Sequence, residues 1–216
     1  MPYADIAPLY RDLNLAERFY ARARYGTAPL ERVVALVPAE TASLVEIGCS
    51  AGVFANLLKT RRPALEVIGV DADERKIATA VKTVKGRTGI NFLRADAFAY
   101  LQTSGPHDAV AFVDVLYLFP PVQQDELILL AARALKDGGV VIVKEMHDYP
   151  VWKRRWCRLQ EWVAVRVVGA TEGTGIHLRP GGEYPGALAA AGLEVEAFDL
   201  NRGYLHPHFA WRGRKK

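Results

Sequence analysis

What most restricts the fold of this chain is an alternation. From residue 31 onward, short runs rich in Val and Ile are followed by segments whose apolar residues recur with helical period. That is the pattern of a parallel sheet covered by helices on both faces. Strands are predicted at 43–47, 65–70, 90–95, 109–115 and 140–143, and the near-continuous apolar run at 109–115 suits a central, doubly covered position. Between them, Phe54, Leu57 and Leu58 mark one helix, and Ile77, Val81 and Val84 mark a second, capped by Asp73. A third holds Leu127, Leu130, Ala131, Ala134 and Leu135 and is read as stopped by Gly138 and Gly139. Near the end, 184–191 reads as a short helix closed by Gly192. Strands at 193–198 and 208–212, joined through Asn201, Arg202 and Gly203, return as an antiparallel pair. The expected class is therefore α/β, a doubly wound and mostly parallel seven-stranded sheet with an antiparallel last strand.

Between the first strand and its helix lies Glu46-Ile47-Gly48-Cys49-Ser50-Ala51-Gly52, where glycines and small residues let backbone amides and a helix N-terminus meet a ligand closely. Asp71 ends the next strand, 23 residues beyond Gly48, where an acid reaches ribose hydroxyls at the carboxyl edge of an open sheet. Nucleoside binding follows as a hypothesis. A nicotinamide fingerprint would read Gly-x-Gly-x-x-Gly, and this turn lacks the glycine at the helix packing position. Asp71 and Asp96 each have a plainer reading as a helix cap or turn former.

Here the chain resembles the class I S-adenosylmethionine-dependent methyltransferases, which have a Rossmann-like fold. Their first motif, acid-x-Gly-x-Gly-x-Gly, is matched by Glu46, Gly48, Ser50 and Gly52, with serine at the middle glycine. The likeness continues in order through GVDAD at 69–73, RADAF at 94–98, FVDVLYLFPP at 112–121 and LKDGGVVIVKEM at 135–146, and covers roughly 30–146 plus the closing strand pair. It implies that S-adenosyl-L-methionine is the cofactor and S-adenosyl-L-homocysteine the product. By the same resemblance Glu46 and the turn Gly48, Cys49, Ser50 and Gly52 hold the methionine moiety, and Asp71 and Ala72 the ribose. Asp96, Ala97 and Phe98 frame the adenine, while Asp114 and Val115 face the cofactor. A carboxylate near the end of an apolar central strand is expensive, so Asp114 should meet the cofactor, a substrate amine or water.

The cofactor carries the reactive sulfonium, so the protein mainly aligns the displacement and excludes water. For a hydroxyl acceptor a base would help, and Asp114, Tyr117, Glu145, His147 and Asp148 follow the fourth and fifth strands. His147 is the first choice because its ordinary pKa suits neutral pH. Tyr117 stands where many small-molecule O-methyltransferases carry histidine. Asp114 lacks the Pro-Pro-Tyr sequel of many nucleic-acid N-methyltransferases, so a base or glutamine amide acceptor is not expected; the reading is methyl transfer to a small-molecule or lipid-like acceptor, with O-methylation favoured over N or C.

The domain reading is a single unit, 1–216: a helical cover at 1–40, the cofactor-binding core at 41–146, a cap at 147–182, and a final helix and strand pair at 183–216. In the cap, Trp152, Trp156, Leu159 and Val163 share one helical face opposite Lys153, Arg154, Arg158 and Glu161. That face reads as a lid packed on the domain, with a peripheral membrane contact through 151–165 or a homodimer contact as the other readings. The start of the chain carries acids and prolines where a signal peptide needs basic and apolar residues, and Cys49 and Cys157 form no zinc-like pair. A cytoplasmic address is expected, with any membrane contact at the inner face. Net charge is +4, and Arg212, Arg214, Lys215 and Lys216 read as a solubilising tail, so nucleic acid is not an expected partner. His177, His206 and His208 lack zinc-ligand spacing, so no metal is expected. Two alternatives keep the fold: a non-catalytic S-adenosylmethionine-binding partner or membrane-surface adaptor, and an enzyme using another nucleotide.

Overall fold

The computed structural model describes residues 2–146, 177, 179, 183–204 and 207–216. Strands β1 (Ser43–Ile47), β2 (Glu66–Asp71), β3 (Ile90–Arg94), β4 (His107–Val113), β5 (Leu135–Met146), β6 (Leu193–Asp199) and β7 (His208–Lys215) form one sheet of order β3-β2-β1-β4-β5-β7-β6. β1 to β5 are parallel, and β7 runs antiparallel between β5 and β6. The order reverses between β1 and β4, which opens a crevice at their carboxyl ends.

The apolar run of β4 is continuous because both faces are buried. Ala109, Ala111 and Val113 join the cluster formed by Ile6, Leu30 and Leu57, whereas Val110 and Phe112 join Leu101, Leu127 and Leu188 on the opposite face. Helices α1 (Leu15–Thr27), α2 (Leu30–Val34), α3 (Val53–Arg61) and α4 (Glu74–Lys82) contribute to the first layer; α5 (Ala97–Thr103), α6 (Pro121–Arg133) and α7 (Glu183–Ala190) to the second. Asn14 opens α1 with a capping box completed by Glu17.

Three boundaries differ from the sequence reading. α6 stops at Arg133, and Gly138 and Gly139 lie inside β5, which already pairs with β4 at His107–Leu135. The register shifts between His107 and Ala109, and a Cβ on Gly139 would lie 3.0 Å from the Asp108 carbonyl oxygen, so the glycine pair serves an irregularity in the ladder and not a helix stop. β4 ends at Val113, leaving Asp114 beyond the strand in a left-handed conformation, φ 53°. β7 extends through the supposed solubilising tail: Arg212 pairs with Glu196, and Arg214 and Lys215 donate to the Gly138 and Leu135 carbonyls. These cations flank a strand whose Trp211 and Gly213 point inward. The proposed cap helix around Trp152 and Trp156 lies outside the described residues, as do His147, Asp148 and His206. Among the described residues no helix is long and apolar enough to cross a membrane.

Candidate functional site

The turn after β1 is a run of left-handed backbone: Gly48 at φ 75°, Ser50 at 51° and Gly52 at 72°. Glycine is required twice over, since a Cβ on Gly48 would lie 2.2 Å from Val115 Cγ2 and one on Gly52 2.5 Å from the Phe92 ring. Ser50 holds an uncommon conformation for a residue with a side chain. Its N–H donates to Asp71 Oδ2 at 2.8 Å, and its Oγ lies 3.0 Å from the Tyr20 hydroxyl. The Gly48 and Cys49 amides both donate to the Val70 carbonyl, and Gly52 N–H donates to Cys49 O. Ala51 N–H makes no hydrogen bond among the described residues.

Asp71 serves the turn first. Its other oxygen accepts from Asp73 N–H at 2.9 Å, and Asp73 caps α4 through the Arg75 and Lys76 amides. A carboxylate has about four acceptor positions, so room for two ribose hydroxyls remains on Asp71. Ala72 is exposed beside it. Asp96 is exposed and caps α5 through Ala99 N–H at 3.0 Å, the plainer of its two sequence readings; Phe98 meets the Phe119 ring edge-on. Glu46 is buried beneath the turn and accepts from Ala55 N–H at 3.1 Å. Burial pushes its carboxyl up to about 8, against the pull of Arg24. Cys49 is buried and its thiol is pushed well up by burial, so it is inert packing. A cleft of about 310 Å³ opens in front of Ser50 and Ala51, walled by Ala16, Glu17 and Tyr20 of α1 and by Arg75, Lys76 and Thr79 of α4.

At the ends of β4 and β5 sits a buried ionic cluster. Asp114 is gripped by Arg24 from α1 at 2.5 Å and by Lys144 from β5, which is completely buried. Arg24 also donates to Val113 O, and Asp114 N–H to Lys144 O. Burial opposes ionisation of Asp114, but Lys144 and Arg24 overcome it and hold the carboxyl well below the usual range. The partners expected of Asp114 were ligand or water; the structure supplies two protein cations instead, which leaves it a poor proton acceptor. Tyr117 is a poor base as well, because burial and the charges of Asp114 and Glu145 push its phenol up. Glu145 accepts from the Val115 and Leu116 amides at 3.0 and 2.7 Å, while burial and the Asp114 charge raise its carboxyl to about 8. His208, buried, has Nε2 2.9 Å from Thr27 O. Among the described residues no group of three or more His, Cys, Asp or Glu is placed to hold a metal ion. The sequence reading named neither Tyr20 nor Arg24; the helical period of α1 was visible, but not which of its side chains meet residues 30 and 90 positions away.

Residues 44–139 match the family model described as a methyltransferase domain. Over this stretch the chain is similar to methyltransferase domains, consistent with the class I S-adenosylmethionine-dependent superfamily. The domain is 28% identical over 149 residues to a demethylmenaquinone methyltransferase of Thermus thermophilus, covering 68% of this chain and 66% of that protein. A trans-aconitate 2-methyltransferase of Variovorax paradoxus is 27% identical, covering 84% and 68%. The chain thus spans about two thirds of the length of these curated relatives. In fold it is similar to an O-methyltransferase family protein from Burkholderia thailandensis, TM-score 0.72 at 19% identity over 97% of this chain and 62% of the other. It is also similar to magnesium protoporphyrin IX methyltransferase from Synechocystis, whose structure holds S-adenosylhomocysteine, TM-score 0.67 at 15% identity over 99% and 94%. S-adenosylmethionine is the cofactor of this methyltransferase type, and the site fits it: Asp71 offers spare acceptors to ribose hydroxyls, Ala51 an unused amide to a carboxylate, and Glu46 a buried carboxyl that an ammonium would ionise.

Proposed function

We propose that this protein is a methyltransferase that moves a methyl group from S-adenosylmethionine to an oxygen of a small-molecule or lipid-like acceptor, with S-adenosylhomocysteine as product. The observation that carries the reading is the strained turn at Gly48–Gly52 tied through Ser50 N–H to Asp71, which spends a carboxylate on shaping a nucleoside site. When bound, the cofactor supplies an electrophilic methyl group on its sulfonium. This chain's residues do the rest. Asp71 holds the ribose hydroxyls, Phe98 and the Asp96–Ala97 backbone border the adenine, and α1 shields the turn through Tyr20 and Ser50.

Asp114 and Tyr117 are unsuited to take a proton, and His147 is the proposed base for a hydroxyl acceptor. A carboxylate acceptor would need none, because its oxygen is already anionic. The name of the trans-aconitate 2-methyltransferase relative supports a small carboxylate-bearing acceptor, and that of the demethylmenaquinone relative supports a lipid-like acceptor as the second reading.

The test is calorimetric titration with S-adenosylmethionine, S-adenosylhomocysteine and NAD, followed by transfer of labelled methyl to a panel of carboxylates, phenols and quinols. Binding of the first two that Asp71→Ala weakens by about 2 kcal/mol or more, together with label in an oxygen-linked product, supports the proposal. Preference for NAD would overturn the cofactor assignment. Tight binding without turnover on any acceptor would favour a non-catalytic binding partner.

A further inference from the structure

The segment before α1 was read as part of a helical cover, and one of its buried side chains is directed at the turn after β1. Tyr10 ends a short 3-10 segment, Ala7–Tyr10, and is 1% exposed. Its hydroxyl donates to Ala51 O at 3.1 Å and accepts from Asn56 Nδ2 at 2.9 Å. Asn56, fully buried on α3, also donates to Thr83 Oγ1 at 2.7 Å, and Thr83 in turn donates to Ala80 O. Arg87 closes the network on Asn56 Oδ1 and Thr83 O. A buried polar chain of this kind fixes each member's orientation, because any broken link leaves a desolvated group without a partner.

Ala51 is the residue where that matters for a ligand. Among residues 48–52 it owns the amide that no described group accepts, and its own carbonyl is the one Tyr10 holds. We infer that Tyr10 is a positioning residue for cofactor binding: by anchoring the Ala51 carbonyl it fixes the 51–52 peptide plane, and with the Ser50 N–H held by Asp71 on the other side this restrains the backbone at Ala51 whose N–H faces the ligand. The segment before residue 13 is then part of the nucleotide site, although it lies well outside the matched domain at 44–139. This inference rests on the S-adenosylmethionine reading of the site.

The experiment is calorimetric titration of the full chain with S-adenosylhomocysteine, comparing wild type with Tyr10→Phe and Thr83→Val. Both substitutions keep side-chain volume and loosen the same network, but only the first frees the Ala51 carbonyl. Tyr10→Phe is expected to weaken binding about fivefold or more, with Thr83→Val within about twofold of wild type at a comparable loss of melting temperature. Amide hydrogen exchange supplies the second readout, with faster exchange in Tyr10→Phe alone at Gly52, whose N–H shares a peptide with the Ala51 carbonyl and donates to Cys49 O. Equal weakening by the two variants, or wild-type affinity and exchange in Tyr10→Phe, would overturn the positioning role. Failure of the wild type to bind S-adenosylhomocysteine would instead overturn the proposed function and this inference with it.

Discussion

Replacing Glu46 with glutamine should stabilise the ligand-free protein, and by an amount that depends on pH. The carboxyl lies 3% exposed under the turn, and burial lifts it from an ordinary 4.5 to about 8. A carboxyl whose folded-state pKa is raised keeps its proton in the folded protein after the unfolded chain has lost it. Wild-type stability therefore falls as pH rises from about 4.5 to about 8 and is level on either side. At about 1.4 kcal/mol per tenfold change in proton affinity, the penalty is roughly 3 kcal/mol at pH 7 and approaches roughly 5 kcal/mol above pH 8. Glutamine keeps an oxygen to accept Ala55 N–H and does not titrate. Its amide NH₂ adds a cost, but one independent of pH. Urea unfolding followed by circular dichroism at about pH 5.5, 7 and 8.5 should show the advantage of Glu46→Gln growing by roughly 3 kcal/mol across that range. An advantage constant with pH would mean that Glu46 stays ionised in the folded protein, and the argument from burial would be refuted.

Gly48→Ala should cost about 3 kcal/mol or more and abolish S-adenosylhomocysteine binding, whereas Gly86→Ala, at the same φ of 75° with nothing within 4 Å, should cost only about 1 kcal/mol; thermal unfolding separates them. Arg24→Met removes one of the two cations on Asp114 and should cost about 3 kcal/mol. Combined with Asp114→Asn it should cost clearly less than the two single changes added, as a double-mutant cycle would show. Removing residues 213–216 should lower the melting temperature by about 5 °C or more, since these residues complete β7; a solubilising tail would come off without effect.

The layered sheet could be read from the chain because the evidence for it is local. The unbroken apolar run of β4 and the helical spacing of Leu127, Leu130 and Ala131 each follow from burial on known faces. The turn was legible for the same reason, since small residues, a glycine pair and Asp71 at nucleoside spacing all act within one βαβ unit. Boundaries failed where pairing overrode local preference. Gly138 and Gly139 look like a helix stop until β4 and β7 recruit them into β5, and Arg212, Arg214 and Lys215 look like a tail until β6 supplies Glu196. The ionic cluster was half legible: a carboxylate at position 114 demanded a partner, but nothing near Arg24 in sequence says that α1 delivers it. Tyr10 was invisible for the same reason, as its partner lies 41 residues away.

The insertion of β7 between β5 and β6 has a consequence for the protein's synthesis. β5 carries the run Val140-Val141-Ile142-Val143, and β7 takes up its outer hydrogen-bonding edge from Val140 to Met146. On the ribosome, β1 to β5 and their helices are complete long before residues 208–215 emerge. The nascent chain therefore carries this apolar, β-branched strand as an open edge for the time needed to make more than sixty further residues. A message that stalls in this interval would release a nearly finished sheet ready to pair with its neighbour on the polysome.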